Sequence, residues 1–276
     1  MRLPFVKMHG LGNDFVVIDN RDGRYALSRA QFAALGARRF GIGCDQILLL
    51  EAPRDARARA RYRVVNADGS PAEHCGNGIR CVARYLERLG EADGGVVVEI
   101  GDAVYALGFG AGTDVRVDMG VPEFAPARIP LAVAAARERY PLTIAGQALE
   151  FGAVSMGNPH AVIAVADVDT TDVAGIGAAV QASALFPAGV NVGFLAVEAP
   201  DRARLRVFER GAGETLACGT GACAAVAIGR RWGVLDARVT VVLRGGELII
   251  EWAGGAGDTL WMTGPATFVF EGIIEI

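Results

Sequence analysis

Two cysteines occupy the same place in a phrase that the chain writes twice. Cys75-Gly76-Asn77-Gly78 and Cys218-Gly219-Thr220-Gly221 lie 143 residues apart, and each opens onto an apolar, helix-like run. The thiolate is the reactive form of cysteine, and the free N–H groups and dipole of a helix N-terminus favour it. Glycine directly after each cysteine lets the chain turn tightly and lets a ligand approach those N–H groups, at Gly76 and Asn77 and at Gly219 and Thr220. Such an N-terminus also holds a carboxylate. A single copy reads as a buried cysteine beside a turn. Two copies in register point to two sulfurs facing one ligand, which suits proton transfer on both faces of one carbon. Cys81 and Cys223 fall inside the helical runs at non-equivalent repeat positions and read as core, and Cys44 as structural.

The repetition extends to polar residues. Arg63-Val64-Val65-Asn66 aligns with Arg206-Val207-Phe208-Glu209 at the same offset. At an offset of 145, Leu11-Gly12-Asn13 echoes Met156-Gly157-Asn158, and Gln46 echoes Asn191. Asn13, Asn66, Asn158 and Asn191 each adjoin a β-like run, where asparagine is uncommon. Alone, each reads as a turn residue. Together they suggest a ligand with several polar groups. Glu209-Arg210 reads either as a solvated surface pair or as a clamp for a zwitterion, with Arg210 on a carboxylate and Glu209 on an ammonium.

Other chemistries fit poorly. The Cys75–Cys81 and Cys218–Cys223 spacings do not match structural zinc knuckles, and His9, His74 and His160 form no metal motif, so no metal is expected. No Gly-Lys-Ser/Thr phosphate loop is present. The only lysine, Lys7, lies outside the repeated unit, which argues against a pyridoxal Schiff base. The net charge of −4 and a pI near 5.5 argue against nucleic acid or an anionic membrane as partner. No run approaches the ~18–20 apolar residues that cross a bilayer, and the first residues do not read as a signal peptide. Five cysteines in 276 residues fit a reducing compartment, and the expected location is cytoplasmic.

The elements that must carry these residues follow from pattern. Short apolar runs at 15–18, 47–50, 96–100, 161–165, 239–243 and 248–250 read as strands, and 204–207 alternates as a half-buried strand does. Ser28 to Phe40 reads as a helix capped by Ser28. Ile79, Val82, Ala83, Leu86 and Leu89 recur at helical spacing, while Ala222 to Ile228 is apolar all round and reads as a buried helix. Arg54 to Arg61 reads as an exposed turn. In each half the order is strands, a Cys-Gly turn, a buried helix, then more strands. That order predicts a mixed α/β (α+β) fold with a sheet curled around a central helix in each half, divided near Gly120-Val121-Pro122.

The blocks that carry this chemistry resemble the diaminopimelate epimerase family. Met8-His9-Gly10-Leu11-Gly12-Asn13-Asp14-Phe15 is similar to its opening signature. The stretches Asn66-Ala67-Asp68-Gly69-Ser70 and Cys75-Gly76-Asn77-Gly78-Ile79-Arg80-Cys81 resemble its first catalytic block. Gly157-Asn158-Pro159-His160, Gly189-Val190-Asn191, Glu209-Arg210-Gly211-Ala212-Gly213-Glu214-Thr215 and Ala217-Cys218-Gly219-Thr220-Gly221 match its later blocks in order. The resemblance spans nearly the whole chain. It implies two pseudo-twofold-related domains, each a β-barrel-like sheet wrapped around a central helix. The first would be 1–119 with the return of 265–276 and the second 120–264, with the site in the cleft between them. It implies interconversion of LL- and meso-2,6-diaminopimelate without a cofactor, in lysine and peptidoglycan precursor synthesis, by a homodimer. Cys75 would take the proton from the LL form and Cys218 from the meso form. His160 would assist Cys75, and Glu209 would assist Cys218. Asn13, Gln46, Asn66, Asn158, Asn191 and Arg210 would hold the distal end of the substrate.

Two rival readings share the thiols. A proline or hydroxyproline racemase-like enzyme would keep both cysteines but would have no use for Glu209, Arg210 and the asparagine set. A redox protein would join Cys75 and Cys218 in a reversible disulfide, although no Cys-x-x-Cys supports that role.

Overall fold

A computed structural model describes residues 1–72, 76–144 and 146–276. Cys75 and His74 lie outside the described residues. The chain forms two units, one of Met1–Val117 with Thr263–Ile276 and one of Asp118–Met262.

The first unit opens with β1 (Arg2–Gly10), β2 (Asn13–Asp19), α1 (Arg29–Gly36), β3 (Gln46–Glu51) and β4 (Ala60–Asn66). It continues through α2 (Gly76–Arg88), β5 (Gly95–Ile100), β6 (Ala103–Phe109) and β7 (Asp114–Asp118). From β1 to β6 the neighbours pair antiparallel, parallel, antiparallel, parallel and antiparallel.

The second unit contains β8 (Tyr140–Ile144), β9 (Gln147–Ser155), β10 (Pro159–Ala164), α3 (Val173–Gln181), β11 (Asn191–Ala199) and β12 (Arg202–Glu209). It goes on with β13 (Gly213–Thr215), α4 (Gly219–Arg231), β14 (Arg238–Leu243) and β15 (Gly246–Glu251), and β16 (Trp261–Pro265) runs across the boundary into the first unit. The path β9-β10-β11-β12-β14-β15 repeats the same alternation of pairings as β1 to β6. The registers repeat too. Phe15 stands opposite Gln46 as His160 stands opposite Asn191, and Ala60 opposite Val98 as Ala203 opposite Val241. The last strand, β17 (Thr267–Glu275), returns to the first unit and pairs antiparallel with β1.

Each curled sheet is covered on both faces. In the first unit Val16, Ile18, Ile47 and Leu49 join Phe32 and Leu35 of α1 in one core cluster. Side chains alternate along a strand, so Phe15 and Leu48 face the other way, where Gly78 of α2 meets them. Burial on both faces explains why β2 and β3 carry unbroken apolar runs rather than an alternating pattern. In the second unit Ala161, Ile163, Val192 and Phe194 pack with Val173 and Val180 of α3. On the opposite face α4 packs against β9, β10, β11, β12 and β15. From Gly221 to Gly229 it is buried all round.

Two helix ends differ from the sequence reading. Ser28 caps α1 with a full capping box through Gln31, but the helix stops at Gly36 and does not reach Phe40. The Leu35 carbonyl accepts from both Ile42 and Gly43 as the chain folds back, and Phe40 is left 96 % exposed on that turn. Leu89, expected on the buried face, lies past the end of α2 and is exposed. No described helix is long and apolar enough to cross a membrane.

Candidate active site

Cys218 is the N-cap residue of α4, and only 5 % of it is exposed. The Glu209 carboxylate at the end of β12 accepts from the thiol, Thr220 Oγ1 lies 3.6 Å from Sγ, and the Gly221 N–H points at the sulfur. Burial, followed by the charge of Glu209, pushes this thiol well above its ordinary pKa. Glu209 is itself gripped by Thr215, whose hydroxyl donates to Oε1 at 2.5 Å across the β12–β13 hairpin.

The second glycine of the motif has a packing role. A Cβ at Gly221 would lie 3.0 Å from Val207 Cγ2 and 3.3 Å from Cys218 Sγ. At the equivalent place in α2, a Cβ on Gly78 would lie 3.0 Å from Leu48. Both helices therefore need glycine there to seat their first turn on the sheet.

Strand register gathers the polar residues of the second unit into a row. His160 stands opposite Asn191, and the pairing of Val192 with Phe208 brings Asn191 opposite Glu209. His160 is 1 % exposed and lies on the α4 face of β10. Burial, with Arg210 as a nearby positive charge, lowers its pKa to about 3, so the imidazole is neutral at neutral pH. Its Nε2 lies 2.9 Å from Asn158 Oδ1, and Nδ1 has no hydrogen-bond partner among the described residues. Asn158 Nδ2 reaches Thr220 Oγ1 at 3.4 Å. Asn191 uses its carboxamide on backbone, donating to the Pro159 carbonyl at 3.1 Å and accepting from the Arg210 N–H at 3.0 Å. It thereby fixes the turn that carries Arg210, whose guanidinium also donates to the Ala188 carbonyl at 2.9 Å.

The first unit has the corresponding row Phe15, Gln46 and Asn66. Gln46 Nε2 donates to Asn66 Oδ1 at 3.2 Å, and Asn66 donates to Ser70 Oγ at 3.1 Å. Asn13 donates to Asp45 Oδ2 at 3.0 Å and accepts from the buried Asn77 at 3.4 Å. Asn77 in turn accepts from Nη2 of the fully buried Arg80 at 2.9 Å. Asp45 also binds Arg38, and Asp14 is paired with Arg38 and Lys7. Burial works against the charge of Asp14, yet these cations hold its carboxyl well below the usual range. Burial pushes the Cys44 thiol up to about 11, which fits a structural residue. Gly76 and Asn77 form the first turn of α2, and Gly219 and Thr220 that of α4.

Sequence reasoning did not single out Thr215, Asp45, Arg38 or Arg80. Thr215 could have been found from the tight hairpin after Glu209. Asp45 precedes Gln46 directly, but its link to Asn13 depends on the parallel pairing of β2 with β3. Among the described residues no group of three or more His, Cys, Asp or Glu is placed to hold a metal.

A model of the family described as diaminopimelate epimerase matches residues 5–125 and 152–269. A diaminopimelate epimerase of Thioalkalivibrio sulfidiphilus is 52 % identical over 278 residues, covering 100 % of both chains. One from Chromobacterium violaceum is 50 % identical over 277 residues, again covering 100 % of both. The chain belongs to the diaminopimelate epimerase family. Family membership makes it an isomerase, and it accounts for a duplicated fold shared well beyond close relatives. A hydroxyproline epimerase from Agrobacterium vitis, solved with trans-4-hydroxy-L-proline, superposes with a TM-score of 0.70 at 15 % identity, over 99 % of this chain and 92 % of that one. A PhzF-family phenazine biosynthesis protein from Bacillus anthracis gives 0.69 at 11 % identity, over 100 % of both. At such identities these structures speak for the fold of the family and not for its substrate.

Proposed function

We propose that the chain interconverts LL- and meso-2,6-diaminopimelate without a cofactor, with Cys75 and Cys218 as the two acid–base groups at one α-carbon. Cys218 carries the reading. It is a buried sulfur at a helix N-terminus, held as a thiol beside Glu209, and so is ready to give a proton. In the LL direction, the Cys75 thiolate takes the α-proton and becomes a thiol. The C–H electron pair remains on the α-carbon and spreads into the carboxylate. Cys218 then delivers its proton to the opposite face and becomes the thiolate, from which the reverse reaction starts.

An α-proton is far less acidic than a thiol, so the carbanion needs stabilising. The N–H groups of Gly76, Asn77, Gly219 and Thr220 are suited to hold the α-carboxylate, and loss of one comparable donor in another enzyme costs ~3–4 kcal/mol. His160 assists Cys75. Its neutral ring, with Nδ1 unengaged by any described residue, supports a role as proton acceptor. Asn13, Gln46, Asn66, Asn158 and Arg210 hold the distal amino-acid end, and Asn191 contributes by fixing Arg210. A ligand with two amino-acid termini explains why so many polar groups accompany two thiols.

The reading includes a cytoplasmic homodimer. Few cysteines for the length, and an odd number of them, suit a reducing compartment. Val269 and Ile273 leave exposed apolar side chains on one face of β17, of the kind that a second copy covers. Incubation with LL-diaminopimelate in deuterium oxide tests the chemistry. The product should be the meso form carrying α-deuterium, and Cys75→Ala and Cys218→Ala should each abolish its formation. Full activity in either variant would overturn the two-thiol mechanism.

A further inference from the structure

We propose that Thr220 is a catalytic residue whose hydroxyl donates to the Cys218 sulfur, in a direction set by the Asn158 amide that lies between it and His160. The inference rests on the reading of Cys218 as an acid–base group. It is carried by three successive contacts within the second unit: His160 Nε2 to Asn158 Oδ1 at 2.9 Å, Asn158 Nδ2 to Thr220 Oγ1 at 3.4 Å, and Thr220 Oγ1 to Cys218 Sγ at 3.6 Å.

Donor and acceptor chemistry orders this chain. An amide oxygen only accepts, so the imidazole carries its hydrogen on Nε2. An amide nitrogen donates, so Thr220 Oγ1 receives that hydrogen and turns its own toward sulfur. A thiolate at Cys218 therefore meets a hydroxyl donor already aligned, alongside the Gly221 N–H. With the Asn158 amide reversed, the hydroxyl hydrogen would point at Asn158 and the sulfur would lose it. Only the first arrangement helps the step in which Cys218 must accept a proton.

The repeat supplies an internal contrast. Asn13 is the counterpart of Asn158, and Asn77 that of Thr220. There the polarity is opposite, because the Asp45 carboxylate can only accept. Asn13 turns its nitrogen to Asp45 and its oxygen to Asn77, and Asn77 Oδ1 is engaged by Arg80. The second unit has Val190 where the first has Asp45, and Cys223 where it has Arg80. Where a carboxylate braces Asn13, an imidazole stands against Asn158, and the amide is turned the other way.

Among the described residues the titratable and charged groups around this sulfur are few. Glu209 on β12 opposes ionisation. His160 on β10 stands at the head of the chain, with Arg210 acting on it. The test compares Thr220→Val, Thr220→Ala and Thr220→Ser, with folding checked by thermal melts. The readouts are the pH dependence of kcat/KM with meso-diaminopimelate and of Cys218 alkylation by iodoacetamide, read at the Cys218 peptide. Valine and alanine should move both profiles up by about one pH unit, a tenfold loss of thiolate below the transition, and serine should restore them. Unshifted profiles in the valine and alanine variants, or a serine variant that behaves like valine, would overturn the proposal. Cys218→Ala separates the two claims. If it retains activity, the acid–base reading falls. If it is inactive while Thr220→Val is unshifted, only the hydroxyl donor falls.

Discussion

His160 occupies the strand position that Phe15 occupies in the other unit, and that exchange concentrates what the repeat alone could not convey. Phe15 lies against the first turn of α2, as an apolar residue should. His160 is equally buried but polar, so it must stay neutral. Its pKa is depressed to about 3 by burial and by Arg210. A depressed folded pKa gives stability that is present above the ordinary value of 6.5 and is lost as pH falls toward 3. His160→Phe, which installs the residue of the other unit, should therefore flatten the acid loss of Tm between pH 6.5 and 3 while abolishing epimerisation. Calorimetry across that range checks the first effect, and an unchanged acid slope would contradict it. Cys75 and Cys218, like Asn13 and Asn158, stand out in the sequence because each pair recurs at a fixed offset. Asp45, Arg80 and Thr215 do not, because their roles arise from which strands pair and from what a buried charge must find.

Elements position the thiol as closely as residues do. The apolar runs of β2, β3 and β10 were readable directly, since sheets covered on both faces leave little room for polar residues, and those of β14 and β15 by their β-branched residues. The early end of α1 was not, because it depends on carbonyls that capture the returning chain. The first turn of α4 is the sensitive point. Gly221→Ala places a methyl 3.0 Å from Val207 and 3.3 Å from Cys218 Sγ. It should cost about 1–3 kcal/mol of stability, as overpacking does, and lower kcat at least tenfold. Ser28→Ala at the α1 cap should cost ~1 kcal/mol and leave kcat unchanged. Urea unfolding and steady-state kinetics on the two variants together distinguish damage to the site from damage to the fold. Equal kinetic effects would argue against a special role for the α4 turn.

At the scale of the whole molecule, the matching strand order and registers of the two units were anticipated by offsets of 143 and 145 in the sequence, although no single strand would have revealed them. The exposed apolar side chains on β17 were not anticipated, because they look like those of any other strand until their exposure is known. Sedimentation equilibrium should give twice the chain mass, and Val269→Asp with Ile273→Asp should shift it toward the monomer. A wild-type monomer at micromolar concentration would remove the homodimer from the proposed reading. The choice of method matters here for a reason that lies with Lys7. It is the chain's one lysine, only 7 % exposed, and its ammonium is held by Asp14 at 2.6 Å and by the Gly43 carbonyl. The protein thus offers amine-directed reagents almost no side-chain handle. Glutaraldehyde or succinimidyl reagents would have the α-amine of Met1 but almost no side chain to link, so they would under-report an assembled pair on a gel, and resin coupling through lysine would capture little of it.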